Sequence, residues 1–220
     1  MTTQEKTNQL DKIALEIQAF KSLEIAKNAN HPVPGEGNPD TQAMFIGEAP
    51  GFHEDQVGRP FVGAAGRLLE KSLKEIGLKR EEVYITNIVK FRPPENRDPL
   101  PEEIEACRDW LDRQISIIRP QIIITLGRFS MAKFLFSQSI SKIHGQPRRI
   151  IWNPPSYSEP LSLVIFPMFH PAAALRAGQT MSYFLSDFHK LSDILKEKDS
   201  LSPPGPEALQ VTKPTQSSLF

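Results

Sequence analysis

The stretch AMFIGEAPGFHEDQVGRPFVGAAGRLL, residues 43–69, decides how the rest of the chain is read. Ala43 to Ile46 is a short apolar run closed by glycine, the pattern of a buried strand. Gly47-Glu48-Ala49-Pro50-Gly51 then breaks the strand and throws a loop past its carboxyl end, where open α/β sheets bind their ligands. Glycine lets backbone approach a flat ligand closely, and Pro50 stiffens the turn. After Glu54 and Asp55, Gly58-Arg59-Pro60-Phe61 sets an aromatic ring on a rigid loop, and Gly63 and Gly66 lead into a helix reaching Ile76. Two acids and one aromatic on fixed loops predict a pocket for a small planar polar molecule. Neither GxxxxGK(S/T) nor GxGxxG occurs here, so a nucleoside triphosphate or dinucleotide site has little support. Taken alone, GEAPG reads equally well as an ordinary strand-to-helix turn.

Outward from this stretch, strands and helices alternate. Leu10, Ile13, Ala14 and Ile17 recur at helical spacing and predict an amphipathic helix over residues 4–27. Val83 to Ile88 is a second strand, ending in the Pro-broken basic loop Lys90 to Arg97. Pro101-Glu102-Glu103 opens a helix to about Ile118, with proline in the first turn and acids at the positive end of the dipole. Gln121 to Leu126 is a third buried strand, followed by a helix to about Phe136. Arg149 to Trp152 and Leu163 to Phe166 are extended, and Met181 to Lys196 is the last helix. The alternation predicts an α/β fold with a mostly parallel sheet covered on both faces. Residues 1–198 read as one catalytic domain, and the Pro- and Ser-rich residues 199–220 as a disordered tail.

Composition narrows the class. The chain has 220 residues, 39% hydrophobic and 24% charged, which suits one soluble domain with a full core. No apolar run approaches the roughly 18 residues of a membrane span, and the start lacks the layout of a signal peptide. One cysteine, Cys107, excludes an internal disulfide, and the expected compartment is the cytoplasm. With 26 basic and 26 acidic residues the net charge is zero, so any nucleic-acid footprint must be local. Candidate basic positions are Lys90, Arg92 and Arg97, then Lys142, His144, Arg148 and Arg149, then Arg176.

Three segments stand together: GEAPGFHEDQVGRPFVG (47–63), TNIVKFRPPENR (86–97) and FPMFHPAAALR (166–176). In this order and at these separations the chain resembles the family-4 uracil-DNA glycosylases, the iron–sulfur type of bacteria and archaea, over about residues 20–195. The resemblance implies a three-layer α/β/α sandwich around a short, mostly parallel four-stranded sheet. It also implies hydrolysis of the N-glycosidic bond of deoxyuridine in DNA, leaving an abasic site.

Such an enzyme holds its base outside the stack in a shaped pocket. The resemblance assigns Phe61 to stacking on the base and Asn87 to its edge, with backbone of Gly47, Glu48 and Ala49 bordering it. An amide at Asn87 can donate to O4 and accept from N3–H of uracil together, whereas cytosine presents the reverse pattern. His170, in His170-Pro171-Ala172, matches the histidine facing O2, where negative charge builds as the bond breaks. Glu48 is the expected group to position water or stabilise the cationic sugar. Glu54 is expected either to share that role or to narrow the pocket near C5 against thymine. Leu175 and Arg176 fall where the family inserts a loop into the minor groove, and Arg92, Arg97, Lys142 and His144 are the further expected DNA contacts.

The family's [4Fe–4S] cluster needs four cysteines. Here the corresponding positions carry Phe20, Leu23, Phe91 and Cys107, so the expectation is no cofactor and no metal, with an apolar plug in the cluster's volume. Two rival readings are a relative that forms a covalent adduct with the abasic sugar, and a catalytically idle DNA-binding module. The first uses a histidine on a basic insertion after the second motif, and Arg92 to Arg97 contains none. The intact Glu48, Phe61, Asn87 and His170 argue against the second. The last five residues, Gln216-Ser217-Ser218-Leu219-Phe220, resemble the pentapeptide by which bacterial repair proteins dock on the DNA sliding clamp. The expected partners are therefore uracil-containing DNA and, through Gln216, Leu219 and Phe220, the clamp, for a protein that is otherwise monomeric.

Overall fold

A computed structural model describes residues 1–154, 159–197 and 209–211. In chain order its helices and strands are α1 (Thr3–Ala19), α2 (Glu24–Lys27), β1 (Glu36–Gly37), β2 (Ala43–Gly47), α3 (Phe52–Val57), α4 (Ala64–Glu75), β3 (Tyr84–Asn87), α5 (Pro101–Ile118), β4 (Ile122–Leu126), α6 (Arg128–Phe134), α7 (Ile140–Ile143), β5 (Arg148–Trp152), β6 (Leu161–Met168), α8 (Pro171–Ala174), α9 (Gly178–Lys196) and β7 (Leu209–Val211).

The strands form one sheet in the order β1-β3-β2-β4-β6-β5-β7. The four central strands β3, β2, β4 and β6 are parallel neighbours, as the sequence predicts. The sheet is wider than the expected four: β1 adds antiparallel to β3, β5 adds antiparallel to β6, and β7 pairs parallel with β5. The difference has a local cause. A strand of two residues such as β1 carries no periodicity, whereas β5 covers the segment Arg149 to Trp152 that the sequence already reads as extended. Of the segment read as a disordered tail only Leu209–Val211 are described, and the clamp-like pentapeptide lies outside the described residues.

Period-two geometry divides the side chains of the central strands between two cores. Met44, Ile46 and Ile123 face the layer built by α1, α2, α5, α6 and α7, while Ala43, Phe45, Ile122 and Ile124 face α4, α8 and α9. Every residue of β2 and β4 is buried, which is why these strands read as apolar runs with Thr125 as the one polar residue. The result is the three-layer sandwich expected from the sequence.

The helix expected over residues 4–27 is two helices. Thr2 and Glu5 start α1 with a capping box, and α1 stops at Ala19 because Phe20 turns extended and its ring enters the core. There Phe20 stacks on Phe91 at a centroid distance of 5.9 Å and meets Trp110 edge-on at 5.1 Å. Helical continuity yields to aromatic burial.

Candidate active site

All four parallel strands deliver a residue of interest at or just beyond their carboxyl ends: Gly47 from β2, Asn87 from β3, Gly127 after β4 and His170 after β6. Register places Gly47 beside Asn87 and Leu126 beside Met168, so the first and third motifs, far apart in sequence, are drawn to one rim. The absence of a side chain at Gly47 makes room. A Cβ there would lie 2.3 Å from Asn87 Oδ1 and 2.6 Å from Phe61 Cζ, so no other residue allows that amide and that ring to share the site.

Asn87 is 1% exposed, and its Oδ1 has no hydrogen-bond partner. A buried acceptor without a donor costs about 1–3 kcal/mol. Phe61 lies opposite, its ring centroid 5.7 Å from that of His170. Its backbone φ is +50°, in the left-handed region that residues bearing a Cβ disfavour. Phe61 thus lies near His170, and Phe61 and Asn87 both close on Gly47.

His170 caps the N-terminus of α8. The Ala172 amide donates to its Nδ1 at 3.1 Å, which makes Nδ1 an acceptor and assigns the ring proton to Nε2. Burial pushes the imidazole pKa down to about 4, with Glu54 opposing and Arg176 adding to the shift. The ring is thus neutral at physiological pH and offers one N–H donor. Glu48, on the loop after β2, has the opposite perturbation. Burial raises its pKa to about 7, Asp98 raises it further, and Arg128, which is paired with Asp98, draws it down.

Glu54 has a structural contact beside the roles expected of it. Its Oε1 accepts from the Val62 and Gly63 amides at 2.8 Å each, so it braces the loop that carries Phe61. A loop rich in glycine and proline leaves amides unpaired, and a carboxylate one helix earlier satisfies two of them.

The basic positions also sort themselves. Lys90 is not a surface charge: it is 0% exposed and donates to Thr86 Oγ1, the Asn87 carbonyl and Gln114 Oε1 at 2.7–2.8 Å. Burial drives its pKa down to about 7. Arg97 forms two bonds to the nearly buried Glu103 carboxylate, at 2.9 and 2.6 Å, and so anchors the start of α5 instead of projecting outward. Arg92 donates to Asn96 and lies over the exposed Phe52 ring at 5.2 Å. His144 is held by Asp187 at 2.7 Å, Lys142 is exposed, and Leu175 and Arg176 are exposed on the turn between α8 and α9.

Phe91, Cys107 and Trp110 are buried in one apolar cluster, and Phe20 and Leu23 pack against it. One thiol faces three hydrocarbon side chains there, and burial raises that thiol to about 11, further from the thiolate a metal needs. The donor set does not fit an iron–sulfur cluster. Among the described residues no group of three or more His, Cys, Asp or Glu is placed to hold a metal ion.

Sequence reasoning missed Arg80, which the structure places under the Phe61 loop, and the burial of Lys90. Arg80 stands among Lys79, Glu81 and Glu82, which mark a charged surface turn, whereas Lys90 is flanked by Val89 and Phe91, an apolar setting that is the one sequence signal of its burial.

Comparison with known proteins agrees with this geometry. The family model of the uracil DNA glycosylase superfamily matches residues 34–192. A type-4 uracil-DNA glycosylase of Sulfurisphaera tokodaii is 47% identical over 192 residues, covering 84% of each chain. One from Archaeoglobus fulgidus is 42% identical over 195 residues, covering 86% of this chain and 94% of the relative. One from Thermotoga maritima is 42% identical over 175 residues, covering 78% and 86%.

Proposed function

Because the chain belongs to the uracil-DNA glycosylase superfamily, we propose that it hydrolyses the N-glycosidic bond of deoxyuridine in DNA to begin base excision repair, as a monofunctional glycosylase without a metal or cluster. The observation that carries the reading is the unpartnered Asn87 Oδ1, buried against Gly47 and aimed at the space beside Phe61. Uracil supplies what it lacks. The N3–H donates to Oδ1, and the Asn87 amide nitrogen donates to O4. Cytosine would set an acceptor against Oδ1 and a donor against the amide N–H, leaving buried groups unpaired at about 1–3 kcal/mol each.

The flipped base stacks on Phe61, whose strained loop is fixed in advance. As the C1′–N1 bond lengthens, electrons pass to the uracil ring and negative charge grows on O2. The Nε2–H of neutral His170 donates to that oxygen and is worth more in the transition state than in the ground state. The sugar becomes an oxocarbenium-like cation, which an ionised Glu48 stabilises while water adds to C1′ and gives up its proton to solvent or to the departing uracil anion. A base that leaves as an anion needs no strong acid, which agrees with a histidine kept neutral by burial.

The proposed DNA contacts are Leu175 and Arg176 as a minor-groove wedge, with Arg92, Lys142 and His144 toward phosphates; Arg97 contributes through the fold of its loop. Phe20, Leu23, Phe91 and Trp110 take over the packing that a cluster would give. The protein is proposed to act as a cytoplasmic monomer and to reach the sliding clamp through Gln216, Leu219 and Phe220. Incubation with a uracil-containing oligonucleotide and excess chelator, followed by alkaline cleavage, tests the central claim. Abasic product at the uracil is expected; an uncut strand, or activity that disappears with the chelator, would overturn it.

A further inference from the structure

Arg80 is a buried charge with no part in the chemistry above. It opens a single helical turn ahead of β3 and is 9% exposed. Its guanidinium reaches three groups: Nη1 donates to the Phe61 carbonyl at 3.1 Å, Nη2 to the Pro60 carbonyl, and Nε to Glu36 Oε1 at 2.9 Å. Glu36, on β1, is held in turn by Arg59 through bonds of 2.7 and 3.0 Å. The next two amides of the loop are held by a carboxylate: Glu54 Oε1 accepts from the Val62 and Gly63 N–H groups. Two consecutive carbonyls rest on a cation and the two following amides on an anion, with Phe61 between them at φ +50°.

A left-handed residue with a Cβ persists only where its surroundings over-determine it. Here they do. Helix α4 also presses on the same peptide: a Cβ on Gly66 would lie 1.8 Å from the Phe61 carbonyl oxygen. Two carbonyls and a carboxylate in fixed directions require several rigidly arranged donors. A planar guanidinium has them, whereas an ammonium is a point charge on a flexible stem. Hydrogen bonds from a buried cation are also among the stronger ones.

We infer that Arg80 is a positioning residue for base recognition, holding Phe61 in its left-handed conformation so that the ring stands ready beside Gly47 and His170 before the base arrives. The inference rests on Phe61 being the uracil platform. Without Arg80 the loop relaxes toward negative φ, the ring leaves its place, and each binding event must restore it. The loss therefore falls on affinity for the base more than on the rate once the base is seated.

Three variants test this: Arg80→Met, which keeps an apolar stem without donors, Arg80→Lys, and Arg59→Met, which removes the exposed partner of Glu36 and leaves both loop carbonyls bonded. The readouts are inhibition by free uracil, the single-turnover excision rate at saturating enzyme, and the thermal midpoint. Arg80→Met should weaken uracil inhibition about tenfold or more, a larger factor than its effect on the saturated rate. Arg80→Lys should recover part of that, and Arg59→Met should stay within about twofold of the parent. A cooperatively folded Arg80→Met protein with unchanged uracil inhibition overturns the inference. If that variant does not fold, Glu36→Gln keeps the side-chain shape and weakens the grip on Arg80. The same order of effects at smaller amplitude supports the inference, and unchanged uracil inhibition overturns it. Uracil inhibition that survives Phe61→Ala would remove the platform reading, and with it the inference.

Discussion

If ionised Glu48 stabilises the sugar cation, excision should follow the titration of that carboxyl, whose pKa burial places near 7. The sign follows from the charge. The catalytic form is the carboxylate, so kcat/KM rises with pH, from about a tenth of its plateau near pH 6 to about nine tenths near pH 8. That is roughly a ninefold gain over two units for one group with a midpoint near 7. Stability moves the other way. A carboxyl raised above its unfolded value of about 4.5 contributes most below that pH and loses its contribution as pH climbs through 7. The two neighbours give opposite controls. Asp98→Asn removes a negative charge that raises Glu48 and frees Arg128 from its ion pair, so the midpoint should shift to lower pH. Arg128→Met removes the charge that lowers it, so the midpoint should shift up. Single-turnover excision on a uracil oligonucleotide across pH 5 to 9 measures all three, with Glu48→Gln expected to flatten the profile. A flat parent profile, or shifts in the same direction for Asp98→Asn and Arg128→Met, would refute the reasoning.

Other outcomes follow from the same site. His170→Ala removes the single Nε2–H donor to O2 and should slow the chemical step on the order of 100-fold or more, with DNA affinity nearly unchanged; equal single-turnover rates would dismiss the role. Asn87→Asp should weaken uracil excision and gain some cytosine excision, because a protonated carboxyl can donate where the amide oxygen accepted; assays on paired uracil and cytosine oligonucleotides check both directions. Deleting Leu219 and Phe220 should abolish binding to a sliding clamp in a calorimetric titration while excision from a free oligonucleotide is retained. Equal clamp binding by the truncated chain would remove that docking proposal.

The sequence by itself determined the parallel core and the strand ends from which Gly47, Asn87 and His170 follow. Ala43 to Gly47 and Ile122 to Leu126 are buried on both faces, so their residues are apolar but for Thr125, and glycine marks where each strand must end. Phe61, Asn87 and His170 were legible because each stands in a motif whose spacing is set by a strand and the loop after it. The donor count at the cluster positions was equally legible, since one cysteine cannot supply four thiolates.

What only the tertiary structure decided were the partners of the charges. Glu54 stands six residues from Glu48 in the sequence, and only the fold shows that its Oε1 holds the Val62 and Gly63 amides while burial raises the Glu48 pKa. Lys90, Arg92 and Arg97 read as one basic patch, but Lys90 is enclosed by Thr86, Asn87 and Gln114, and Arg97 is bound to Glu103. Arg80 gave no signal at all. The physical reason is that periodicity encodes which apolar faces are buried, whereas a polar side chain takes its role from groups that folding brings to it, such as Glu36, Pro60 and Phe61 around one guanidinium.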